Sequence, residues 1–121
     1  MSFTAIWIDR ENAKLFHFSN SKMERVSLRS RHQDHHTHPF DQLDHQQQDR
    51  KFFAEIATHL ADSTRVLILG PGVAKHHFQN YLVEQLPAVA KTIVGCETVD
   101  HPTGAQIAAL AQKFFNLPTT L

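Results

Sequence analysis

Val66-Leu67-Ile68-Leu69-Gly70-Pro71-Gly72-Val73-Ala74-Lys75 decides the fold. Four consecutive apolar residues read as a strand covered on both faces, the mark of a central strand in a layered α/β sheet. Gly70-Pro71-Gly72 then turns the chain sharply. Glycine permits positive φ or a close backbone approach, and proline fixes φ. A helix follows, with Phe78, Tyr81, Leu82 and Leu86 on its buried face, and Pro87 stops it.

On the amino-terminal side of this segment, helical periodicity begins near Arg50. Phe53, Ile56 and Leu60 form the stripe, Phe52 and His59 flank it, and Asp49 is placed to cap it. Asp62-Ser63-Thr64 ends that helix. Three strands precede it: Phe3 to Ile8, Ala13 to Phe18 and Met23 to Leu28. The turns at Asp9-Arg10-Glu11-Asn12 and Ser19-Asn20-Ser21-Lys22 are short, which implies an antiparallel meander. On the carboxyl side, Lys91 to Val99 reads as a strand. Asp100-His101-Pro102-Thr103 leads into a last helix with Ile107, Leu110 and Phe114 as its stripe, ended by Asn116 and Pro118. The order β-β-β-α-β-α-β-α predicts an α/β fold, a ribonuclease H-like mixed five-stranded sheet with helices packed on it.

The 121 residues suit one domain, 1–121, with one core. The hydrophobic share of 41% is slightly low, and much of the deficit lies in residues 29–50. That stretch holds His32, His35, His36, His38 and His45, four aspartates and Gln46-Gln47-Gln48, and reads as a long His-rich loop. Lys plus Arg and Asp plus Glu number twelve each, which argues against a large basic surface for duplex nucleic acid and leaves room for a local patch. Cys96 is the single cysteine, so no intrachain disulfide forms and a reducing compartment is expected. The first residues lack a signal peptide's basic region and apolar run, and no stretch has the length of a membrane span. These features predict a cytoplasmic protein with no membrane contact.

Three groups of residues have chemistry to offer. The Gly70-Pro71-Gly72 turn lies at the carboxyl end of a strand, where α/β sheets bind ligands, and the helix N-terminus after it accepts anions. Lys75, His76 and His77, one turn in, are candidates to face a phosphate. The same turn is more simply read as a purely structural connection, and its spacing is neither a phosphate loop nor a dinucleotide fingerprint. His32, His35, His36 and His38, with Asp34 and Asp41, supply enough imidazole and carboxylate for zinc, nickel or copper, although their spacing matches no strong motif. The competing reading is a solvated polar loop. Finally, a two-metal nuclease needs carboxylates gathered around Asp9. Asp100, Glu55 and Glu97 are the candidates, while Asp100 is more simply read as capping or shaping the approach to the last helix. Cys96, inside a strand, reads as a core residue, and Trp7 and Phe16 as core or sheet-face residues.

The run Val66 to Lys75, with Phe78 and Tyr81-Leu82 after it, resembles the strand–Gly-Pro-Gly–x-x-Lys–x-x-Phe pattern of bacterial translational machinery proteins. Val99-Asp100-His101-Pro102-Thr103 with Gln106 is the second matching segment, and Ala5 to Asp9 and Ala13 to Phe18 also fit. Those proteins are similar to the middle domain of eukaryotic and archaeal peptide-chain release factors and of the rescue factor Pelota. The resemblance implies a ribonuclease H-like fold and a translation-associated role, with ribosome or RNA as partner. Anion or RNA contacts would fall to Gly70, Gly72, Lys75, His76, His77, Arg29 and Arg31. In release factors a Gly-Gly-Gln tip precedes the long helix ahead of the strand matching Val66–Leu69. Here the His-rich segment holds that place, and no Gly-Gly-Gln occurs in the chain. The resemblance therefore implies a non-catalytic domain. The alternatives are a metal-binding protein holding zinc or nickel in the loop and a hydrolase acting on nucleic acid. The sequence does not set an oligomeric state.

Overall fold

The computed structural model describes residues 2–20, 22–30 and 41–117, apart from the side chains of 41–48. Five strands form one mixed sheet in the order β3-β2-β1-β4-β5. β1 (Ser2–Ile8), β2 (Asn12–Ser19) and β3 (Lys22–Arg29) make the expected antiparallel meander. β4 (Arg65–Gly70) lies parallel to β1, with Ile6 opposite Ile68. β5 (Ile93–Thr98) lies parallel to β4 at the far edge. The register steps between Val66 and Leu67, which face Ile93 and Gly95, so Val94 is the extra residue of a bulge.

Alternation in the central strands sends apolar side chains both ways, giving a core on each face of the sheet. One core joins Ile6, Ile8, Leu15 and Ile68 to Phe52, Phe53, Ile56 and Leu60 of α1 (Asp41–Thr58) and to Phe78 and Leu82 of α2 (Ala74–Gln85). The other joins Ala5, Trp7, Phe16, Phe18, Leu67 and Leu69 to Ile107 and Ala111 of the last helix, Gly104–Phe114. Trp7 and Phe16 are thus core residues, as expected. One described helix covers this second face, whereas α1, α2 and the short helix Pro87–Ala90 pack on the first.

Five expectations need correction. α1 begins at Asp41, so Asp49 is not its N-cap, and the segment 29–50 is not all loop: Arg29 pairs with Asn12 in β3 and 41–50 is helical. After Pro87 the chain makes a short helix, α3 (Pro87–Ala90), with proline in its first turn, where the lost N–H has no cost. The last helix, α4, is capped by Thr103, not Asp100. Thr103 Oγ1 accepts from the Gln106 amide at 3.2 Å, and Gln106 Oε1 accepts from the Thr103 amide at 2.8 Å. Lastly, α4 buries Ile107 and Ala111, with Ala108 and Phe115 half-buried, while Leu110 and Phe114 are exposed. Its contact stripe is rotated by one residue because the alanines permit closer approach to the sheet. The helix ends in a Schellman turn: Leu117 N–H donates to Gln112 O at 2.8 Å, and Asn116 takes the left-handed φ of 57°.

Candidate functional site

Parallel pairing of β1 and β4 brings their carboxyl ends side by side. The β1–β2 turn therefore meets the Gly70-Pro71-Gly72 turn, and α1 closes the third side. The result is a cleft of about 460 Å³. Asp9 and Arg10 come from the hairpin, Asp49 and Phe53 from α1, and Pro71 to Ala74 with His77 from the turn and the start of α2.

The two glycines of the turn have different roles. A Cβ on Gly70 would collide with the backbone carbonyl oxygen of Ile8, so close approach of β1 dictates glycine there. Around Gly72 no atom lies within 4 Å of such a Cβ, and neither glycine has positive φ. Val73 precedes α2 in an αR conformation and supplies no side-chain cap. No side chain caps the first amides of the helix, and Gly72, Val73 and Ala74 beside them line the cleft.

Lys75, His76 and His77 do not converge. Successive helical residues diverge by about 100°, and the three side chains take three directions. Lys75 is 3% exposed, and its ammonium donates to Gly72 O at 2.5 Å, which ties the turn to the helix. His76 faces β5, with Nδ1 4.0 Å from Cys96 Sγ. His77 alone of the three lines the cleft. Burial pushes the Cys96 thiol up, against the opposing pull of Lys75 and with a smaller push from Glu97. Cys96 is partly buried and packed against the first core.

Arg10 is the cleft cation that sequence reasoning passed over as part of a polar turn. The available signal was topological: once β1 and β4 are parallel, the residues after Ile8 and after Leu69 become neighbours. Asp9 Oδ1 accepts from the amides of Glu11 at 2.9 Å and Asn12 at 2.6 Å, an arrangement that shapes the hairpin. Asp49 shares the cleft, but Glu55, Glu97 and Asp100 do not line it. Asp100 instead offers its backbone carbonyl to the Trp7 indole N–H at 2.9 Å. Among the described residues the gathering of carboxylates that a two-metal nuclease requires is not formed, and no three His, Cys, Asp or Glu are grouped to hold a metal ion. Arg31, His32, His35, His36 and His38 lie outside the described residues.

At the opposite end of the sheet a second, polar groove of about 500 Å³ is lined by His17, Lys22, Glu24, His59 and Asp62 among others. The hydroxyls of Ser63 and Thr4 and Nδ1 of His17 form a hydrogen-bonded chain beneath it, with 2.8 Å between Thr4 Oγ1 and His17 Nδ1. Burial lowers the pKa of His17, His59 lowers it further, and Glu24, directly across on β3, partly opposes both.

No protein-family model and no curated protein matches the sequence. Solved structures do match. Pelota from Archaeoglobus fulgidus superposes with a TM-score of 0.65 at 19% identity, over 93% of this chain and 31% of that one. Pelota from Thermoplasma acidophilum gives 0.65 at 18% identity, over 99% and 36%. An archaeal translation termination factor gives 0.57 at 20% identity, over 95% and 40%. The chain thus spans between 31% and 40% of the length of these structures. No described helix is long and apolar enough to cross a membrane. What the likeness establishes is the architecture: a mixed five-stranded α/β sheet with helices on both faces, shared with one part of Pelota and of an archaeal termination factor.

Proposed function

We propose that the chain is a non-catalytic, translation-associated domain that acts in the cytoplasm by contacting the ribosome or RNA, as a bacterial counterpart of the matching part of release and rescue factors. The observation that carries this reading is the superposition on Pelota over 93% to 99% of the chain. The likeness runs over nearly the whole chain, which supports reading it as the counterpart of one part of such a factor. The non-catalytic part follows from the missing Gly-Gly-Gln and from the dispersal of the candidate carboxylates around Asp9.

Cosedimentation tests it. The full chain is loaded with purified ribosomes on sucrose gradients at low and at moderate salt. Comigration at low salt that weakens as salt rises is expected, because contacts to phosphate release counterions. Free migration at both salt concentrations would remove the reading.

A further inference from the structure

The sheet is unequally covered. On the α4 side, the helix packs over β1 and shares a core with Leu67 and Leu69 of β4 and Phe16 and Phe18 of β2, while β3 at the sheet edge is left uncovered, with Met23, Arg25, Ser27 and Arg29 exposed. Strand alternation puts Asn12, Lys14, Phe16 and Phe18 of β2 on that face, with Met23, Arg25, Ser27 and Arg29 of β3 across from them. Lys14 Nζ sits 5.5 Å from the Trp7 ring centroid, and the Arg25 guanidinium carbon sits 5.1 Å from that of Phe16. Each cation thus lies over the ring of its directly opposed partner, Trp7 or Phe16. Arg25 also abuts Gly104 at the start of α4, so its head is fixed between sheet and helix.

Charge is sorted across the sheet. The one acid within β1, β2 and β3 is Glu24, and it points to the opposite face, against His17. α4 contains no acid and adds Lys113. Glu97 shares the face but stands on β5, at the far edge. Within the ribbon itself this face thus carries Lys14, Arg25 and Arg29 and no acid, with Asp9 and Glu11 beyond its end in the hairpin turn and Asp100 next to Trp7.

We infer that this open face of the β2–β3 ribbon, through Lys14, Arg25 and Arg29, is a binding surface for the phosphate backbone of RNA. Lys14 stands opposite Ser27, midway between Arg25 and Arg29. With about 7 Å between alternate residues of a strand and about 5 Å between strands, neighbouring cations are about 8 Å apart, a spacing at which one RNA strand reaches all three. The rings beneath are buried, Trp7 4% and Phe16 1% exposed, so they position cations and do not stack bases. A protein partner would need apolar anchors, and on this ribbon face Met23 is the one exposed apolar residue. Guanidinium pairs instead fit phosphate oxygens. The choice of RNA as the anion rests on the proposed translational role; the patch itself does not.

The test is fluorescence anisotropy of a labelled twenty-nucleotide oligouridine with the full chain, titrated across salt concentration. The wild type is expected to bind with a log–log salt slope of about −2, since each phosphate contact on a single strand contributes about −0.7. Lys14→Gln/Arg25→Gln/Arg29→Gln should abolish binding at moderate salt, and Lys14→Arg/Arg25→Lys/Arg29→Lys should retain it. Removing Lys14 and Arg25 uncovers rings and can unfold the domain, so Arg29→Gln alone, which leaves both rings covered, must lower the slope by about 0.7. An Arg29→Gln slope equal to wild type, no oligouridine binding by the wild type, or equally tight binding of poly-glutamate would each overturn the inference. Ribosome sedimentation separates it from the reading above. If the folded triple variant sediments like wild type, the face is wrong and the role stands. If the wild type binds oligouridine through these residues but never sediments, the face stands and the role falls.

Discussion

Gly70 and Gly72 sit two residues apart in one turn, yet alanine should have opposite effects at the two sites. At Gly70 the new methyl would meet the Ile8 carbonyl oxygen far inside van der Waals contact, with the Ile8 carbon 3.4 Å away. Ile8 is fully buried in β1, between β2 and β4, and cannot swing aside as a flexible side chain would. Relief requires β1 and β4 to separate locally by about 1 Å, which puts the cost at the upper end of overpacking, about 3 kcal/mol. With an unfolding entropy of about 2.1 cal/mol/K per residue, a domain this size loses about 4 °C per kcal/mol, so Gly70→Ala should melt about 12 °C early. At Gly72 the methyl meets open space, and φ is not left-handed. Gly72→Ala should therefore be neutral or gain about 0.4–1 kcal/mol by restricting the unfolded chain. Reversible thermal melts followed by circular dichroism, run on both variants in one buffer, decide the matter. The reasoning fails if Gly70→Ala melts within about 3 °C of wild type, or if Gly72→Ala is the more damaging of the two.

Three further outcomes are expected. Thr103→Ala removes the oxygen that accepts the Gln106 amide, and should cost about 1 kcal/mol, read as a melting point about 4 °C lower. His17 has a folded pKa below its ordinary value, so the unfolded chain binds the proton more readily. Its contribution is intact above about pH 6.5 and is lost as pH falls from there toward the folded pKa; melts across that window should slope upward with pH, and His17→Gln should flatten them. Lys75→Met keeps the buried stem and removes the charge that lowers the Cys96 pKa. Alkylation of Cys96 by iodoacetamide at pH 8 should then be slower than in wild type, and an unchanged rate would show that the ammonium does not act on the thiol.

The sequence was most legible where apolar periodicity and turn residues agreed. Val66–Leu69, the meander and the α1 stripe at Phe53, Ile56 and Leu60 were all readable in that way. The first half of α1 was hidden because Asp41-Gln42-Leu43-Asp44-His45-Gln46-Gln47-Gln48 has almost no apolar side chain to set a period. The α4 stripe is ambiguous in sequence because alanines alternate with large apolar residues: Leu110 and Phe114 continue the spacing from Ile107, but the helix faces the sheet through Ile107, Ala108 and Ala111. At the cleft, the turn was recognisable, while the directions of Lys75, His76 and His77 depended on helix phase and on where β1 and β5 lay. Arg10 and the cationic ribbon face required the strand order and register, which pair residues far apart in sequence.

The parallel pairing of β1 with β4 has a kinetic side. Phe3 and Arg65 are about 60 residues apart along the chain, and neither core can close before they meet. Hairpins form from local contacts in about 1–10 μs, so contact order predicts that this long-range closure follows the meander and limits the folding rate. Because closure entropy grows only logarithmically, about 0.6 kcal/mol per doubling of length, ten more residues between Arg29 and Asp41 would cost about 0.1 kcal/mol. The connection from β3 to α1 can therefore change greatly in length while the sheet still forms, and variation there is nearly unconstrained by folding.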